Sequence, residues 1–138
     1  FNVALTTIHL NGGEDMIEAA SSEKGNIKIL GVSILTSLSK NDIFEITHTD
    51  FDDYFNNLIS IASKTNIDGV VCSPNELEKL KNFNKLKVVP GIRNDILNDD
   101  QKRVMSSIEA YQKGANFIVV GRPITKSKDP RKAVELFL

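Results

Sequence analysis

Two stretches near the carboxyl terminus decide the fold: Val89-Pro90-Gly91-Ile92-Arg93 and Ile118-Val119-Val120-Gly121-Arg122. In each, an apolar run typical of a buried strand leads into glycine, and arginine follows closely. Glycine lets backbone N–H groups approach a phosphate, a helix start adds partial positive charge, and arginine offers a planar fork to two oxygens. Two such strand ends in succession predict an α/β protein that holds one phosphate from two loops.

The rest of the chain alternates apolar runs with amphipathic segments. Strands are predicted over Leu5–Leu10, Ile27–Val32, Gly69–Cys72, Lys87–Val89 and Phe117–Val120. Helices are predicted over Glu14–Ser22, Phe51–Thr65, Pro74–Asn82, Ser106–Lys113 and Pro130–Phe137. Short strands that are apolar on both faces and alternate with helices indicate a parallel sheet covered by helices. No low-complexity linker divides the chain, so we expect residues 1–138 to form one domain.

Several residues carry helix-boundary signals. Ser73 precedes Pro74 and can cap a helix, with Glu76 able to reach back, and Asp129 can cap the helix that begins at Pro130. Gly114 is expected to close the preceding helix in a left-handed turn.

Two polar segments, Ser37–Asp50 and Arg93–Asp100, are expected to be long loops that follow strands. In a (β/α)₈ barrel, loops at the carboxyl ends of the strands build the active site.

The strand ends and their neighbours resemble the orotidine 5′-phosphate decarboxylase family. The motifs that carry the resemblance are Ile8-His9-Leu10-Asn11-Gly12-Gly13, Leu35-Thr36-Ser37, Asp68-Gly69-Val70-Val71-Cys72-Ser73, Val89-Pro90-Gly91-Ile92-Arg93, Asp100-Gln101-Lys102-Arg103-Val104-Met105, and Val120-Gly121-Arg122-Pro123-Ile124-Thr125 with Asp129-Pro130. They stand in family order over essentially the whole chain and are highly specific together. The resemblance implies a TIM (β/α)₈-barrel fold and conversion of orotidine 5′-phosphate to UMP and carbon dioxide, the last step of de novo pyrimidine synthesis.

The family's catalytic Asp-x-Lys-x-x-Asp motif is missing from this sequence. The nearest string, Asp100-Gln101-Lys102-Arg103-Val104-Met105, has methionine in place of the second aspartate. A complete barrel typically takes about 250 residues, whereas this chain has 138. We therefore expect a partial barrel, the C-terminal part of one such domain with roughly five βα units. Because an open parallel sheet leaves unpaired edges, we also expect association or a missing N-terminal partner segment.

The resemblance assigns binding of the nucleotide phosphate to Gly121 and Arg122. The alternative for Arg122 is a surface ion pair with a carboxylate on a neighbouring helix. Gln101 resembles the family's loop glutamine, which reaches the same phosphate as the loop closes.

Arg93 and Thr36 complete the expected substrate-binding set. The resemblance makes Arg93 part of the ligand loop, but family members commonly have proline after this arginine, whereas Asn94 follows here. The shape of this loop is therefore not fixed by the resemblance. Thr36 corresponds to the hydroxyl residue that contacts the pyrimidine ring. Its alternative is a strand-end threonine that bonds to its own backbone.

The chemistry implied for a complete family member uses no cofactor. Binding energy from the remote phosphate positions orotate beside charged lysine and aspartate side chains, and a lysine protonates C6 as carbon dioxide leaves. Without those residues, this chain is expected to bind the substrate or UMP and to be inactive alone, with no catalytic residue of its own. The alternatives are a non-catalytic nucleotide-phosphate binding module, a decayed gene product or, less favoured, another phosphosugar enzyme such as a hexulose-phosphate synthase.

Composition agrees with an ordinary enzyme domain. Hydrophobic residues make up 41% and charged residues 25%, and a net charge of −1 argues against nucleic-acid binding. The basic run Lys126–Lys132 contains Asp129 and is interpreted as a solvated helix start. No segment approaches a membrane span or a signal peptide, so a cytoplasmic location is the default expectation. The family is typically dimeric, which makes a homodimer the expected assembly.

Other reactive residues receive structural interpretations. Cys72 is the only cysteine and is expected to be a buried strand-end residue rather than a nucleophile. His9 and His48 lie too far apart in sequence to suggest a metal site. His9 is expected either to be packed or to support a neighbouring site residue, and His48 is expected to be exposed.

Overall fold

A computed structural model of the chain describes residues 2–94 and 105–138. They fall into two compact units, one of Phe1–Cys72 with Phe83–Leu86 and one of Ser73–Asn82 with Lys87–Leu138. Within each unit, parallel strands alternate with helices, as the sequence predicts.

The first unit contains three parallel strands and three α-helices. In chain order they are β1 (Leu5–His9), α1 (Gly13–Glu23), β2 (Lys28–Val32), α2 (Lys40–Thr47), α3 (Phe51–Lys64) and β3 (Gly69–Val71), with a short 3₁₀ turn at Leu10–Gly12. Strand β2 pairs with β1 on one side, where Leu5 aligns with Lys28. It pairs with β3 on the other, where Leu30 aligns with Gly69.

Helix α3 shows why the sequence forms a helix here. The Asp50 carboxylate accepts a hydrogen bond from the Asp52 N–H at 2.7 Å, which caps the first turn. Phe55, Leu58 and Ala62 recur at helical spacing and are all buried, so one face of the helix packs into the core. The main buried apolar residues of the first unit are Leu10, Ile17, Ile29, Leu30, Phe55, Leu58, Ala62, Ile67 and Val70.

The prediction of a loop over Ser37–Asp50 is wrong for most of these residues, because helix α2 occupies Lys40–Thr47. The Ser39 hydroxyl accepts from the Asp42 N–H at 3.2 Å, and the Asp42 carboxylate accepts from the Ser39 N–H at 2.7 Å. These reciprocal bonds form a capping box, which starts the helix. Only Ile43 of this helix is buried, so the apolar pattern was too weak to reveal it.

The second unit contains the pair β4 (Leu86–Pro90) and β5 (Phe117–Val119), where β4 begins at the residue that ends the first unit. The two strands run parallel, with Val88 aligned with Phe117 and Pro90 with Val119. The helices are α4 (Ser107–Gln112), α5 (Arg122–Thr125) and α6 (Pro130–Glu135). The helix predicted at Pro74–Asn82 is a 3₁₀ helix over Pro74–Leu80, since the Glu76 N–H bonds to the Ser73 carbonyl three residues back.

The predicted boundary signals are mostly confirmed. The Asp129 carboxylate accepts from the Lys132 N–H at 3.1 Å, and Gly114 has a left-handed φ of 93° after α4. The Ser73 hydroxyl accepts from the Asn75 N–H at 3.3 Å. The expected return bond from Glu76 is not made, since in the tight 3₁₀ winding this side chain is buried at 4% exposure.

The expectation of a sheet covered by helices holds for the middle strands of the first unit but not for β1. Most of β2 and β3 is buried, whereas β1 exposes Thr6, Thr7 and His9. His9 is therefore not packed in the core, because β1 pairs with one strand only among the described residues. The alternative, that His9 supports a neighbouring site residue, stays a prediction. In the second unit, Phe117 and Val119 of β5 are also exposed.

A polar network ties together the amino ends of β2 and β3. The Asp68 carboxylate accepts from the Lys24 ammonium at 2.6 Å and from the Ile29 N–H at 2.8 Å. Desolvation acts to raise the pKa of Asp68, but these bonds outweigh it and hold that pKa below its usual value. Nearby, the Lys85 ammonium donates to the carbonyls of Ala62 and Thr65 at the end of α3, and its desolvation lowers the pKa of Lys85.

Candidate functional site

The end of β4 forms a fixed turn that leads to Arg93. Gly91 is exposed and has a φ of 81°, a left-handed conformation that favours glycine. Ile92 is 1% exposed and forms a parallel bridge with Met105. The Arg93 N–H then donates to the Met105 carbonyl at 3.0 Å. Arg93 is half-buried, and its backbone is held at the point where the segment between β4 and α4 begins.

The next residue, Asn94, also holds this segment in place. This role was not evident from the sequence. Its side-chain oxygen accepts from the Ser107 N–H at 3.0 Å, and its side-chain nitrogen donates to the Ser107 hydroxyl at 3.3 Å. The same nitrogen donates to the Leu136 carbonyl after α6. An asparagine next to a glycine-arginine turn is the only sequence signal for this arrangement, and it does not identify partners that are distant in the chain.

The end of β5 brings Gly121 and Arg122 to the same edge of the strand pair as Arg93. The register places Pro90 opposite Val119, so both strands run out at this edge. Gly121 is exposed, and a Cβ built on it would meet no atom within 4 Å. The backbone at Gly121 is therefore open to a ligand that approaches closely.

Arg122 is exposed at the first position of α5. Within residues 2–94 and 105–138, no carboxylate forms an ion pair with it. The alternative interpretation of Arg122 as a surface ion-pair residue thus finds no partner in this part of the chain. Its guanidinium is available to an external anion, for which a planar fork is well suited.

Gln101 lies outside the described residues, as do Asp100, Lys102 and Arg103. The expected role of Gln101 at the phosphate stays a prediction.

Thr36 belongs to the first unit, where it is exposed in the turn that follows β2. The turn is closed by the Leu38 N–H, which donates to the Leu35 carbonyl at 3.0 Å. Just before it, the Ser33 hydroxyl and N–H both donate to the Val71 carbonyl, at 3.0 and 3.1 Å, and fix the end of β2 to the end of β3. Among the described residues, none bonds the Thr36 hydroxyl, so the alternative in which it satisfies its own backbone is not observed.

The positions of Cys72 and His48 agree with the structural roles expected for them. Cys72 is buried at 1% exposure, and His48 is exposed at the carboxyl end of α2, as predicted. In the part of the chain that the structure describes, no group of histidine, cysteine, aspartate or glutamate residues is arranged to hold a metal ion. In the same residues, no helix has the length and apolar character needed to cross a membrane.

Comparison with known proteins gives consistent matches over this chain. The family model described as orotidine 5′-phosphate decarboxylase / HUMPS family matches residues 1–137. Orotidine 5′-phosphate decarboxylase of Aquifex aeolicus is 46% identical over 137 residues, which cover 94% of this chain and 59% of the relative. The protein of the same name from Ehrlichia chaffeensis is 42% identical over 141 residues, which cover 97% and 61%. The chain thus spans about 60% of the length of these relatives.

Solved structures give the same result. Orotidine 5′-phosphate decarboxylase from Lactobacillus acidophilus matches with a TM-score of 0.82 at 32% identity, covering 97% of this chain and 61% of that one. The corresponding structure from Thermotoga maritima gives a TM-score of 0.68 at 25% identity, covering 94% and 56%. The likeness confirms the predicted fold class, a part of a (β/α)₈ barrel.

Proposed function

Because the chain belongs to the orotidine 5′-phosphate decarboxylase / HUMPS family, we propose that it supplies the phosphate- and pyrimidine-binding part of an orotidine 5′-phosphate decarboxylase. In this proposal, residues 1–138 are the C-terminal part of one barrel domain. The ligand is orotidine 5′-phosphate or its product UMP, and the assembly is a homodimer.

One observation carries the proposal. The ends of β4 and β5 place Arg93, Gly121 and Arg122 at one edge of a parallel strand pair, and Arg122 is exposed with no carboxylate partner among the described residues. An open glycine backbone beside an available guanidinium has the chemistry of a phosphate site. Gly121 and Arg122 hold the phosphate in this assignment, and Arg93 and Gln101 belong to the loop that covers it.

Thr36 is assigned to the pyrimidine. Its hydroxyl is exposed at the end of a parallel strand, where a ring amide or carbonyl of the base finds both a donor and an acceptor.

The proposed reaction breaks the bond between C6 and the carboxylate of orotate. The electron pair left on C6 takes a proton from a lysine as carbon dioxide departs, and the product is UMP. The lysine and its aspartate partners belong to the Asp-x-Lys-x-x-Asp motif, which does not occur in these residues. We therefore propose that the 138-residue chain binds the nucleotide but does not decarboxylate it alone.

The test is thermal unfolding of the chain with and without UMP. Ligand at 100 times its Kd stabilises a folded protein by about 2.7 kcal/mol, which is readily measured as a rise in Tm. Arg122→Ala should abolish this rise. Arg131→Ala is the matched control, since Arg131 is another exposed arginine of the same unit, on α6, and this variant should keep the rise. Full UMP stabilisation in Arg122→Ala would overturn the site assignment.

A turnover assay separates binding from chemistry. Incubation of the chain with orotidine 5′-phosphate should give no UMP, whereas joining it to the unmatched portion of the Aquifex aeolicus relative should restore production. Turnover by the chain alone would show that the catalytic groups are misassigned. UMP binding without restored turnover would favour the alternative, a non-catalytic nucleotide-phosphate binding module.

A further inference from the structure

Asn94 connects three segments of the second unit through one side chain. It follows Arg93, beyond the end of β4 at Pro90. Its oxygen accepts from the Ser107 N–H at the start of α4, and its nitrogen donates to the Ser107 hydroxyl and to the Leu136 carbonyl. Asn94 and Leu136 are 42 positions apart in sequence, so this contact depends on the folded unit.

The hydrogen-bond partners of the Asn94 side-chain amide allow it only one orientation. Its oxygen faces an N–H group, and its nitrogen faces a carbonyl and a hydroxyl. Rotating the amide by half a turn would set its NH₂ against the Ser107 N–H and its oxygen against the Leu136 carbonyl, losing these bonds. Because Ser107 is buried at 4% exposure, water cannot readily replace the lost partner of its N–H.

Arg93 lies between two anchors as a result. On its amino side, Ile92 bridges to Met105, and on its carboxyl side Asn94 bridges to Ser107. Its own N–H also bonds to the Met105 carbonyl. The backbone at Arg93 is thereby fixed relative to the strand pair, and Gly121 and Arg122 lie at the same edge of that pair.

We propose that Asn94 is a positioning residue for ligand binding, which acts by holding the backbone of Arg93 in the orientation that the phosphate requires. It need not touch the ligand itself. This inference rests on the proposed function, in which Arg122 holds the phosphate and Arg93 belongs to the ligand loop, and it adds a residue that the resemblance does not assign.

The first measurement is UMP affinity by calorimetric titration. Asn94→Ala should weaken UMP binding by about fivefold to tenfold, the factor that corresponds to the loss of one well-placed hydrogen-bonded contact. Asn116→Ala is the matched control. The Asn116 side-chain oxygen accepts from the Lys87 N–H at 2.8 Å at the opposite end of the same strand pair, so its loss should lower Tm without changing the affinity.

A double-mutant cycle then tests the route through Arg93. If Asn94 acts by positioning Arg93, Asn94→Ala should have no further effect on UMP affinity in an Arg93→Ala background. Additive losses would overturn the proposed route. Asn94→Gln serves if Asn94→Ala does not fold, because it stays uncharged but displaces the amide from Ser107 and Leu136 by one methylene, and it should give the same lack of additivity.

These measurements distinguish failure of the inference about Asn94 from failure of the proposed function. If the parent chain binds UMP, Arg122→Ala loses it and Asn94→Ala retains it fully, Asn94 is only structural and the inference is overturned while the proposed function stands. If the parent chain does not bind UMP, the proposed function is overturned, and the inference with it.

Discussion

Two glycines in the first unit allow a sharp test of how tightly its strands pack. A Cβ on Gly69 would lie 2.4 Å from the Leu86 carbonyl oxygen, 2.6 Å from the Leu86 Cβ and 2.9 Å from the carbonyl carbon. Ordinary contact begins near 3.4 Å, so the backbone must separate by about 1 Å. The Leu86 backbone cannot move away without losing a hydrogen bond, because the Leu86 N–H donates to the Asp68 carbonyl at 3.1 Å.

Gly69→Ala should therefore destabilise the chain by about 2–4 kcal/mol, from overpacking together with a weakened backbone hydrogen bond. With a urea m-value of about 2 kcal/mol/M, the denaturation midpoint should fall by about 1–2 M. The measurement is urea unfolding followed by circular dichroism.

Gly31→Ala is the matched comparison, since Gly31 lies on the neighbouring strand β2 but its Cβ would meet side chains. The nearest atom is Cδ2 of Leu10 at 2.3 Å, and Cγ of the same side chain lies at 2.6 Å. In a Leu10→Ala background, Gly31→Ala should lose most of its cost. In a Leu86→Ala background, Gly69→Ala should keep its cost, because the clashing carbonyl remains.

The reasoning fails if Gly69→Ala unfolds at the parent's urea concentration, or if Leu86→Ala rescues it. Either result would mean that the strand start moves aside without a cost in free energy.

The remaining predictions concern two polar contacts. The Asp68 carboxylate has its pKa held below the ordinary 3.8, so its contribution to stability is present above that pH and is lost as the pH falls through the lower folded value. Asp68→Asn should lower the urea midpoint at pH 7, and the two midpoints should converge in acid; a constant gap would contradict this. Ser39→Ala removes the capping box of α2, and amide exchange measured by NMR should accelerate over Lys40–Thr47 while α3 stays protected. Unchanged protection of α2 would show that the box does not hold this helix.

Much of the fold was predictable because the local sequence of each strand is typical of a strand. Runs such as Gly69–Cys72 and Lys87–Val89 are short, apolar and β-branched, and they stand between turn residues, so their positions were correct to within a residue or two. The cap at Asp129 and the left-handed Gly114 depend on residues adjacent in sequence, and they were also predicted.

Helix α2 could not be found from apolar periodicity, because it buries Ile43 alone. The capping pair of Ser39 and Asp42 was the available signal, and it is weaker without an apolar stripe. The exposure of β1 and β5 was missed for a different reason. Apolar composition predicts a strand but does not say whether a neighbour covers it.

Part of the candidate site could be predicted from local sequence, and part could not. The positions of Arg93, Gly121 and Arg122 at strand ends follow from local sequence, and the common edge follows from parallel pairing. The part played by Asn94 depends on a carbonyl far along the chain, and no local pattern contains it.

The bonds of Asp68 to Lys24 and Ile29 have a consequence for how such a protein changes during evolution. They fasten the amino ends of β2 and β3, while Thr36 follows the opposite, carboxyl end of β2. The second unit repeats this polarity, with Asn116 bonded to Lys87 where its strands begin and Gly121 where they end. Selection can therefore alter recognition at one end while the fastenings at the other keep the chain folded. A mutational library at the exposed carboxyl-end positions, which leaves Ser33 and Asn94 unchanged, would explore new ligands at little risk to the scaffold.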